Sequence, residues 1–325
     1  YSSERSNMKP KIVLIGAGRF GKNHLRNLIQ LNNKKKIELI GVVDTDSKLL
    51  KRINREYNIS TSKNFKEFEK EANAFDIVSP ASTHFLIAKY LLNKQKHIFI
   101  EKPLGINSNQ TKKLVAIGKK NNCVIQVGHI FRYNNAVEQI KREIKLKNNF
   151  PYLIKGKFIQ TTEPKNDVGS IFNFLHHFDI LDNILGVNPE KIYAISNLKS
   201  KNSKFEINSS VFLQYKKGLN VSLDLGWVPS GKHRTLELFS KKQHTICDLE
   251  KQIIEIHRNK QKSKKRIFSF KEPLGLELNE FIECIKTGKQ PKANGIIGHR
   301  IVKVAELATR SLNQKKILKF PNSKE

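Results

Sequence analysis

Three groups of residues in this 325-residue chain have the types and spacing to do chemistry. Lys102 stands within His97-Ile98-Phe99-Ile100-Glu101-Lys102-Pro103-Leu104-Gly105. The run from Ile98 to Ile100 is short, β-branched and aromatic, as buried strands are. Pro103 fixes its own φ and pushes Lys102 out of helix into extended backbone. The lysine is therefore expected at a strand end, the edge where open parallel sheets bind ligands. An ammonium held there can stabilise negative charge developing on a reacting oxygen. The second group is Gly16-Ala17-Gly18-Arg19-Phe20-Gly21 with Asp44, and the third is the histidine pair His176-His177, close to Asn173 and Asp179. Imidazole is the most frequent proton acceptor in catalysis.

A lone G-x-G-x-x-G is weak, but this one has its context. Lys11 to Ile15 reads as a strand before it, an amphipathic helix runs to about Gln30 after it, and Asp44 ends a second strand-like run, Glu38 to Val43. An acid roughly 20 residues past the last glycine suits an adenosine ribose. Gly16 permits the tight turn, Gly18 lets a pyrophosphate approach, and Gly21 lets helix pack on strand. Free amides at the helix start face the phosphates. Asp44 can accept two ribose hydroxyls and would repel a 2′-phosphate, so NAD is favoured over NADP. Arg52 and Arg55 read as too far along the next helix to reverse that.

The elements that must position these groups alternate. Helices are expected over Ser47 to Tyr57, Phe65 to Ala72, from Thr83 to about Asn93, and over Ser108 to Asn121; strands over Phe75 to Ser79 and Cys123 to Val127. Strand–helix alternation at this spacing gives a doubly wound parallel sheet. Ser79, Pro80 and His84 fall at one strand end on the cofactor-facing side, and His129 falls at another. For His84 taken alone, a helix-cap or packing role competes with a ligand role. After residue 129 the rhythm changes: an amphipathic helix from Asn135 to Lys147, a strand from Tyr152 to Thr161, a helix from Ile171 to Leu185, then strands near 191–198, 205–215, 219–226, 234–240, 244–249 and 252–257. Helices near 274–286 and 296–312 flank them. The expectation is an α/β chain with a tail at 1–9, a dinucleotide-binding Rossmann domain at 10–128, and an α+β substrate domain with a large, mainly antiparallel open sheet at 129–325. Thr161 to Val168 reads as a polar loop placed to reach a substrate.

Composition narrows the classes. Hydrophobic residues make up 38% of the chain, and no apolar run approaches the ~20 residues that span a bilayer. No charged-then-apolar segment opens the chain. Cys123, Cys247 and Cys284 are isolated and match no zinc or disulfide spacing, so no metal and a reducing, cytoplasmic setting are expected. The net charge of +31 raises the question of nucleic acid. Its clusters, Lys34 to Lys36, Lys199 to Lys204, Lys262 to Arg266 and Lys315-Lys316, are scattered and lack interleaved aromatics. A solvated basic surface with a general attraction for anionic substrates is expected, without a specific nucleic-acid partner.

The chain resembles the glucose–fructose oxidoreductase / inositol dehydrogenase (Gfo/Idh/MocA) family of NAD(P)-dependent sugar dehydrogenases. The markers are Gly16 to Gly21, Val43-Asp44, Ser82-Thr83-His84, Glu101-Lys102-Pro103, and Val127-Gly128-His129-Ile130-Phe131-Arg132-Tyr133-Asn134. The resemblance implies that Lys102 lies beside the nicotinamide and the reacting hydroxyl, and that Glu101 and Pro103 shape the cofactor pocket. His129, Arg132 and Tyr133 are similar to a stretch in members acting on amino sugars or nucleotide sugars, which implies contact with substrate. It also implies a homodimer or homotetramer through the C-terminal sheet.

One element departs from the family pattern. The usual Gly-x-x-x-Asp-x-x-x-His, counted from Gly169, puts Asn173 at the acid position and His177 at the histidine. A second register, His176-x-x-Asp179, puts Phe172 at the acid position. The first register is favoured here: His177 takes the hydroxyl proton and Asn173, on the same helix face, orients it. The leading expectation is an NAD-dependent oxidoreductase acting on a secondary hydroxyl of a sugar or nucleotide sugar. The alternatives are an inactive NAD- or sugar-binding sensor on the same fold and, from charge alone, a nucleic-acid-binding protein.

Overall fold

The computed structural model describes residues 9–146, 149–162, 168–196, 198, 205–229, 231–258, 263–268 and 272–321. The chain divides into two compact units, Tyr1–Ile130 with Glu272–Arg300, and Phe131–Lys271 with Ile301–Glu325.

In the first unit six strands pair in parallel, in the order β3-β2-β1-β4-β5-β6. They are β1 (Lys11–Ile15), β2 (Glu38–Val43), β3 (Thr61–Ser62), β4 (Ala74–Ile77), β5 (His97–Ile100) and β6 (Ile125–Val127), with helices α1 (Gly21–Asn33), α2 (Ser47–Tyr57), α3 (Ala81–Asn93) and α4 (Ser108–Lys120) between them. The strands read as continuous apolar runs because helices cover both faces. Val13, Leu14, Ile98, Phe99 and Ile100 are completely buried. The strand order reverses between β1 and β4, and ligands bind parallel sheets at that switch. Asp46 caps α2 by accepting from Lys48 N at 2.8 Å and Leu49 N at 3.2 Å, a cap typically stabilising by about 1 kcal/mol. The expected helix over Phe65 to Ala72 is instead a short 3₁₀ turn, Phe65–Phe68.

The helix Pro273–Thr287 belongs to this first unit, although its position in the sequence pointed to the second. Leu278, Phe281 and Ile282 share a core with Leu14, Leu28 and Phe99. The Phe281 and Phe99 rings meet edge to face at 5.9 Å, and burying one such ring contributes roughly 1.5–3 kcal/mol. Gln126 Nε2 donates to Glu277 O at 2.9 Å, and Val127 N donates to Ala293 O at 2.8 Å. An apolar helical stripe shows that a helix covers something, not which sheet it covers. The segment Glu272–Arg300 thus returns to the parallel sheet, and the first boundary falls at Ile130.

The second unit holds nine strands in the order β14-β13-β12-β11-β7-β10-β9-β8-β15. They are β7 (Pro151–Gln160), β8 (Lys191–Ile195), β9 (Asn208–Gln214), β10 (Asn220–Trp227), β11 (His233–Ser240), β12 (Gln243–Asp248), β13 (Ile253–Arg258), β14 (Lys264–Ile267) and β15 (Leu318–Lys319). Only β7 and β10 run parallel; every other pair is antiparallel. The turn at Lys216–Gly218 joins β9 to β10 with Lys217 at φ 61° and Gly218 at φ 75°. Helices α5 (Asn135–Glu143), α6 (Ser170–Asn173) and α7 (His176–Leu185) belong to this unit. Phe158 of β7 meets Phe174, His176 and His177 on the covered face. The opposite face carries Tyr193 stacked on Phe212 and Phe239 stacked on His244.

Candidate functional site

The glycine loop of the first unit follows β1 and leads into α1. Gly16 has φ +94°, and a Cβ there would lie 2.8 Å from the backbone of Val78 and Ser79. A Cβ on Gly21 would overlap the Gly16 carbonyl oxygen, while one on Gly18 would meet nothing within 4 Å. Protein packing therefore explains Gly16 and Gly21, whereas the space over Gly18 is open for a ligand. Asp44 Oδ2 accepts from Ala17 N at 2.7 Å and Oδ1 from Asp46 N at 3.0 Å, so the ribose acid is fixed against the loop. A cavity of about 400 Å³ is lined by Gly18, Arg19, Lys22, Asp46, Lys48, Leu49 and Arg52. Arg52, which the sequence placed too far along α2 to matter, shares that wall with Gly18. Phe20 of the loop is exposed at 44%. These residues fit an adenosine dinucleotide: an open glycine edge, a fixed acid and four cations for phosphate charge.

The Glu101-Lys102-Pro103 turn leaves β5 in the same sheet. Glu101 and Pro103 are buried and Lys102 is half-buried; the Lys102–Pro103 peptide bond is cis. Glu101 Oε2 accepts from Lys102 N at 3.3 Å. His84 is buried, its ring nitrogens 2.8 Å from Ser79 O and 2.7 Å from Pro103 O. It braces the Ser79-Pro80 strand end against the lysine turn, the packing role left open for it above. Ser79 Oγ and Thr83 Oγ1 are 2.7 Å apart. His129 is 2% exposed.

Beneath the turn lies a group the sequence reading missed. His24 of α1 is completely buried, with Nδ1 2.8 Å from Asp76 Oδ2 and Nε2 3.3 Å from Glu101 Oε1. Burial opposes charge on this ring, but Asp76 and Glu101 outweigh it and raise its pKa to about 10. Burial also raises the Asp76 pKa, against the pull of His24. An acid in the middle of a buried strand was the available signal, since buried carboxylates require a partner.

The second unit separates the two adjacent histidines. Asn173 and His177 do not share one helix: α6 ends at Asn173, Phe174 takes φ −105° and ψ 42°, and α7 starts at His176. The Phe174 ring, wedged 4.8 Å from Trp227 and 5.5 Å from Phe158, accompanies the break. His177 is 0% exposed. Its Nε2 lies 3.1 Å from Thr235 O, and a Cβ on Gly156 would lie 2.5 Å from its ring. Burial pushes its pKa down to about 4. The ring is thus a neutral donor packed on the sheet, which corrects the expectation of an accessible proton acceptor. His176 is half-buried and stacks on Phe158 at 4.9 Å. Phe172, four residues before it, is also half-buried, and Asn173 is buried.

Arg132 and Tyr133 are buried at 5% and 7% exposure. Arg132 Nε donates to Asp179 Oδ1 and a terminal nitrogen to Asp182 Oδ2, both at 2.6 Å. Burial disfavours this charge, but the two acids outweigh it and raise the pKa. The guanidinium fork is spent on α7, where Asp179 and Asp182 stand three apart on one face. That placement corrects the expectation of Arg132 on substrate. Residues 163–167 of the expected substrate loop lie outside the described residues, as do Lys199 to Lys204. Cys123, Cys247 and Cys284 are free and buried. Among the described residues no cluster of His, Cys, Asp or Glu is arranged to hold a metal ion, and no helix is long and apolar enough to cross a membrane.

Residues 10–129 match the model of the Gfo/Idh/MocA oxidoreductase family, NAD-binding Rossmann fold. Full-length similarity extends to characterised proteins. The UDP-N-acetylglucosamine 3-dehydrogenase of Acidithiobacillus ferrooxidans is 19% identical, covering 90% of this chain and 94% of its own. The myo-inositol 2-dehydrogenase of Thermotoga maritima is 22% identical, covering 95% and 98%. The solved structure of the former superposes with a TM-score of 0.84 over 94% of this chain and 99% of its own, at 18% identity. That of levoglucosan dehydrogenase with NADH and levoglucosan gives 0.85 over 97% and 100%, at 14% identity. Fold, glycine loop and sequence similarity agree over the first unit: residues 10–129 are the NAD-binding Rossmann domain of the Gfo/Idh/MocA oxidoreductase family.

Proposed function

We propose that the protein is an NAD-dependent dehydrogenase that oxidises or forms a secondary hydroxyl on a sugar or nucleotide sugar. The observation that carries this reading is the half-buried Lys102 held between buried Glu101 and Pro103, at the strand-end edge of the sheet that bears the glycine loop. The relatives' activities on inositol and on a UDP-sugar support the substrate class. The nicotinamide supplies the hydride chemistry. Lys102 donates to the reacting oxygen and stabilises charge on it. His176 takes the hydroxyl proton, because His177 is packed against the sheet as a neutral donor. Asp44 holds the adenosine ribose and favours NAD over NADP; Lys48 and Arg52 reduce that discrimination. Ser79, His84 and Glu101 shape the pocket around the dinucleotide. The aromatic pairs on the open face of the nine-stranded sheet are the surface through which a homo-oligomer forms, testable by light scattering of the purified chain.

A second reading, a binding protein without turnover, draws on Phe172 and Asn173. Neither register supplies the family's carboxylate beside the histidine. One experiment separates the two. Ligands that copurify are identified by mass spectrometry, and the recovered sugar is then offered with NAD while absorbance at 340 nm is followed. Bound NAD(H), a bound sugar and NADH formation support the dehydrogenase. Bound ligands with no NADH formed from NAD and none consumed when NADH is supplied instead support the binding protein, and absence of any dinucleotide binding sinks both.

A further inference from the structure

Arg234 is an unexplained cation. It stands on β11, opposite Phe158 of β7 in the antiparallel register. Alternation puts it on the covered face with the buried Leu236 and Leu238. Its guanidinium carbon lies 4.8 Å from the centre of the Phe158 ring. Its Nε is buried without a hydrogen-bond partner. Burial lowers its pKa, only partly opposed by Glu250. Glu250 does not pair with it: that carboxylate is bonded to Lys232. The buried Arg132 of the same unit, by contrast, is matched by two acids. Leaving a desolvated guanidinium without a counter-ion is unfavourable unless a ligand supplies one.

The geometry also leaves it ready for an anion. A guanidinium held over an aromatic ring can keep its N–H groups for another partner, and here Nε has none. Such N–H groups match a carboxylate or phosphoryl group with two parallel hydrogen bonds. The same Phe158 ring carries His176 at 4.9 Å. We propose that Arg234 binds an anionic group of the substrate, a carboxylate or a phosphoryl oxygen pair, close to the hydroxyl served by His176. This rests on the dehydrogenase reading above for the role of His176, and it narrows the substrate class to acidic sugars: uronates, sugar phosphates or sugar nucleotides. A neutral polyol would leave Arg234 unmatched.

The test is calorimetric titration of the NADH-loaded protein at physiological salt. The probes are N-acetylglucosamine, N-acetylglucosamine 1-phosphate, UDP-N-acetylglucosamine, glucose, glucuronate and myo-inositol. At least one acid is expected to bind roughly 10- to 100-fold more tightly than its neutral counterpart, the range of a charged hydrogen-bonded contact. Which acid gains separates a carboxylate from a phosphoryl ligand. Arg234→Gln should erase that gain without changing the neutral sugars, Arg234→Lys should retain part of it, and Lys157→Gln on the exposed face should change nothing. Arg234→Lys keeps an apolar stem over Phe158 and serves if Arg234→Gln melts early. Equal binding of acids and neutral sugars, no binding of any acid, or an acid preference that survives Arg234→Gln overturns the proposal. Acid binding that depends on Arg234, with no NADH formed from NAD and none consumed when NADH is supplied with the oxidised sugar, would instead sink the dehydrogenase reading and leave this subsite standing.

Discussion

His24 in the first unit and His177 in the second are both fully buried, yet their charges are set in opposite senses. His24 sits between Asp76 and Glu101 and is held protonated to about pH 10. His177 faces one backbone carbonyl and stays neutral down to about pH 4. Burial alone disfavours the charged form of both; the difference is the two carboxylates. The same contrast runs through the units as a whole. The first presents a ligand edge built from backbone: the open Gly18, its neighbouring amides and a turn braced by His84. The second presents side chains on one aromatic ring, Phe158, where His176 and Arg234 remain half-buried and His177 is consumed by packing.

The largest effect expected concerns the first unit. Lys102→Met should lower turnover by roughly 10²–10³, as loss of one preorganised donor does. NADH affinity, read by fluorescence titration, should stay unchanged, because pyrophosphate is held by the glycine loop. Near-normal turnover would make the turn purely structural and erase the contrast with the second unit.

The second effect is on stability and has a sign. His177 has a folded pKa below its unfolded one, so its contribution is fully present above pH ~6.5 and is lost as pH falls toward about 4. The loss approaches ~3 kcal/mol at most, from about 1.4 kcal/mol per pKa unit. His177→Gln should flatten that acid limb. Trp227, the only tryptophan in the chain, packs on Phe174 and reports on this unit. His24 runs the other way: its folded pKa is raised, so its contribution is present below pH ~6.5 and is lost as pH climbs through about 10. His24→Gln should flatten the alkaline limb in calorimetric scans. Both limbs shifting together in either variant would show that the two histidines are not independent.

The smallest effect is on cofactor choice. Asp44→Ala should weaken NAD binding roughly tenfold through lost charge-assisted hydrogen bonds, without weakening NADP. A wild-type preference for NADPH in the same titration would remove Asp44 as the deciding residue and pass that role to Lys48 and Arg52.

The glycine loop, Asp44 and the alternating strands were legible because their signals are local: a turn, a period, a residue type at fixed spacing. What stayed hidden depends on distant partners. Arg132 looked free for substrate because Asp179 and Asp182 lie far along the chain in another element. The helix Pro273–Thr287 is amphipathic, but amphipathicity does not name the sheet it covers. The histidine register failed at one point, the break at Phe174, whose aromatic neighbours belong to β7 and β10. Arg234 carried no motif at all; only its strand partner and its missing counter-ion single it out.

The most direct test of this account is the rate of NADH formation on the copurified sugar for His176→Gln and His177→Gln, measured side by side across pH 6 to 9. The account predicts that His176→Gln loses at least ~10² in turnover, the lower range for a lost general base, and that His177→Gln keeps turnover within about tenfold while it remains folded. Collapse of the His177→Gln rate with His176→Gln near wild type would contradict it.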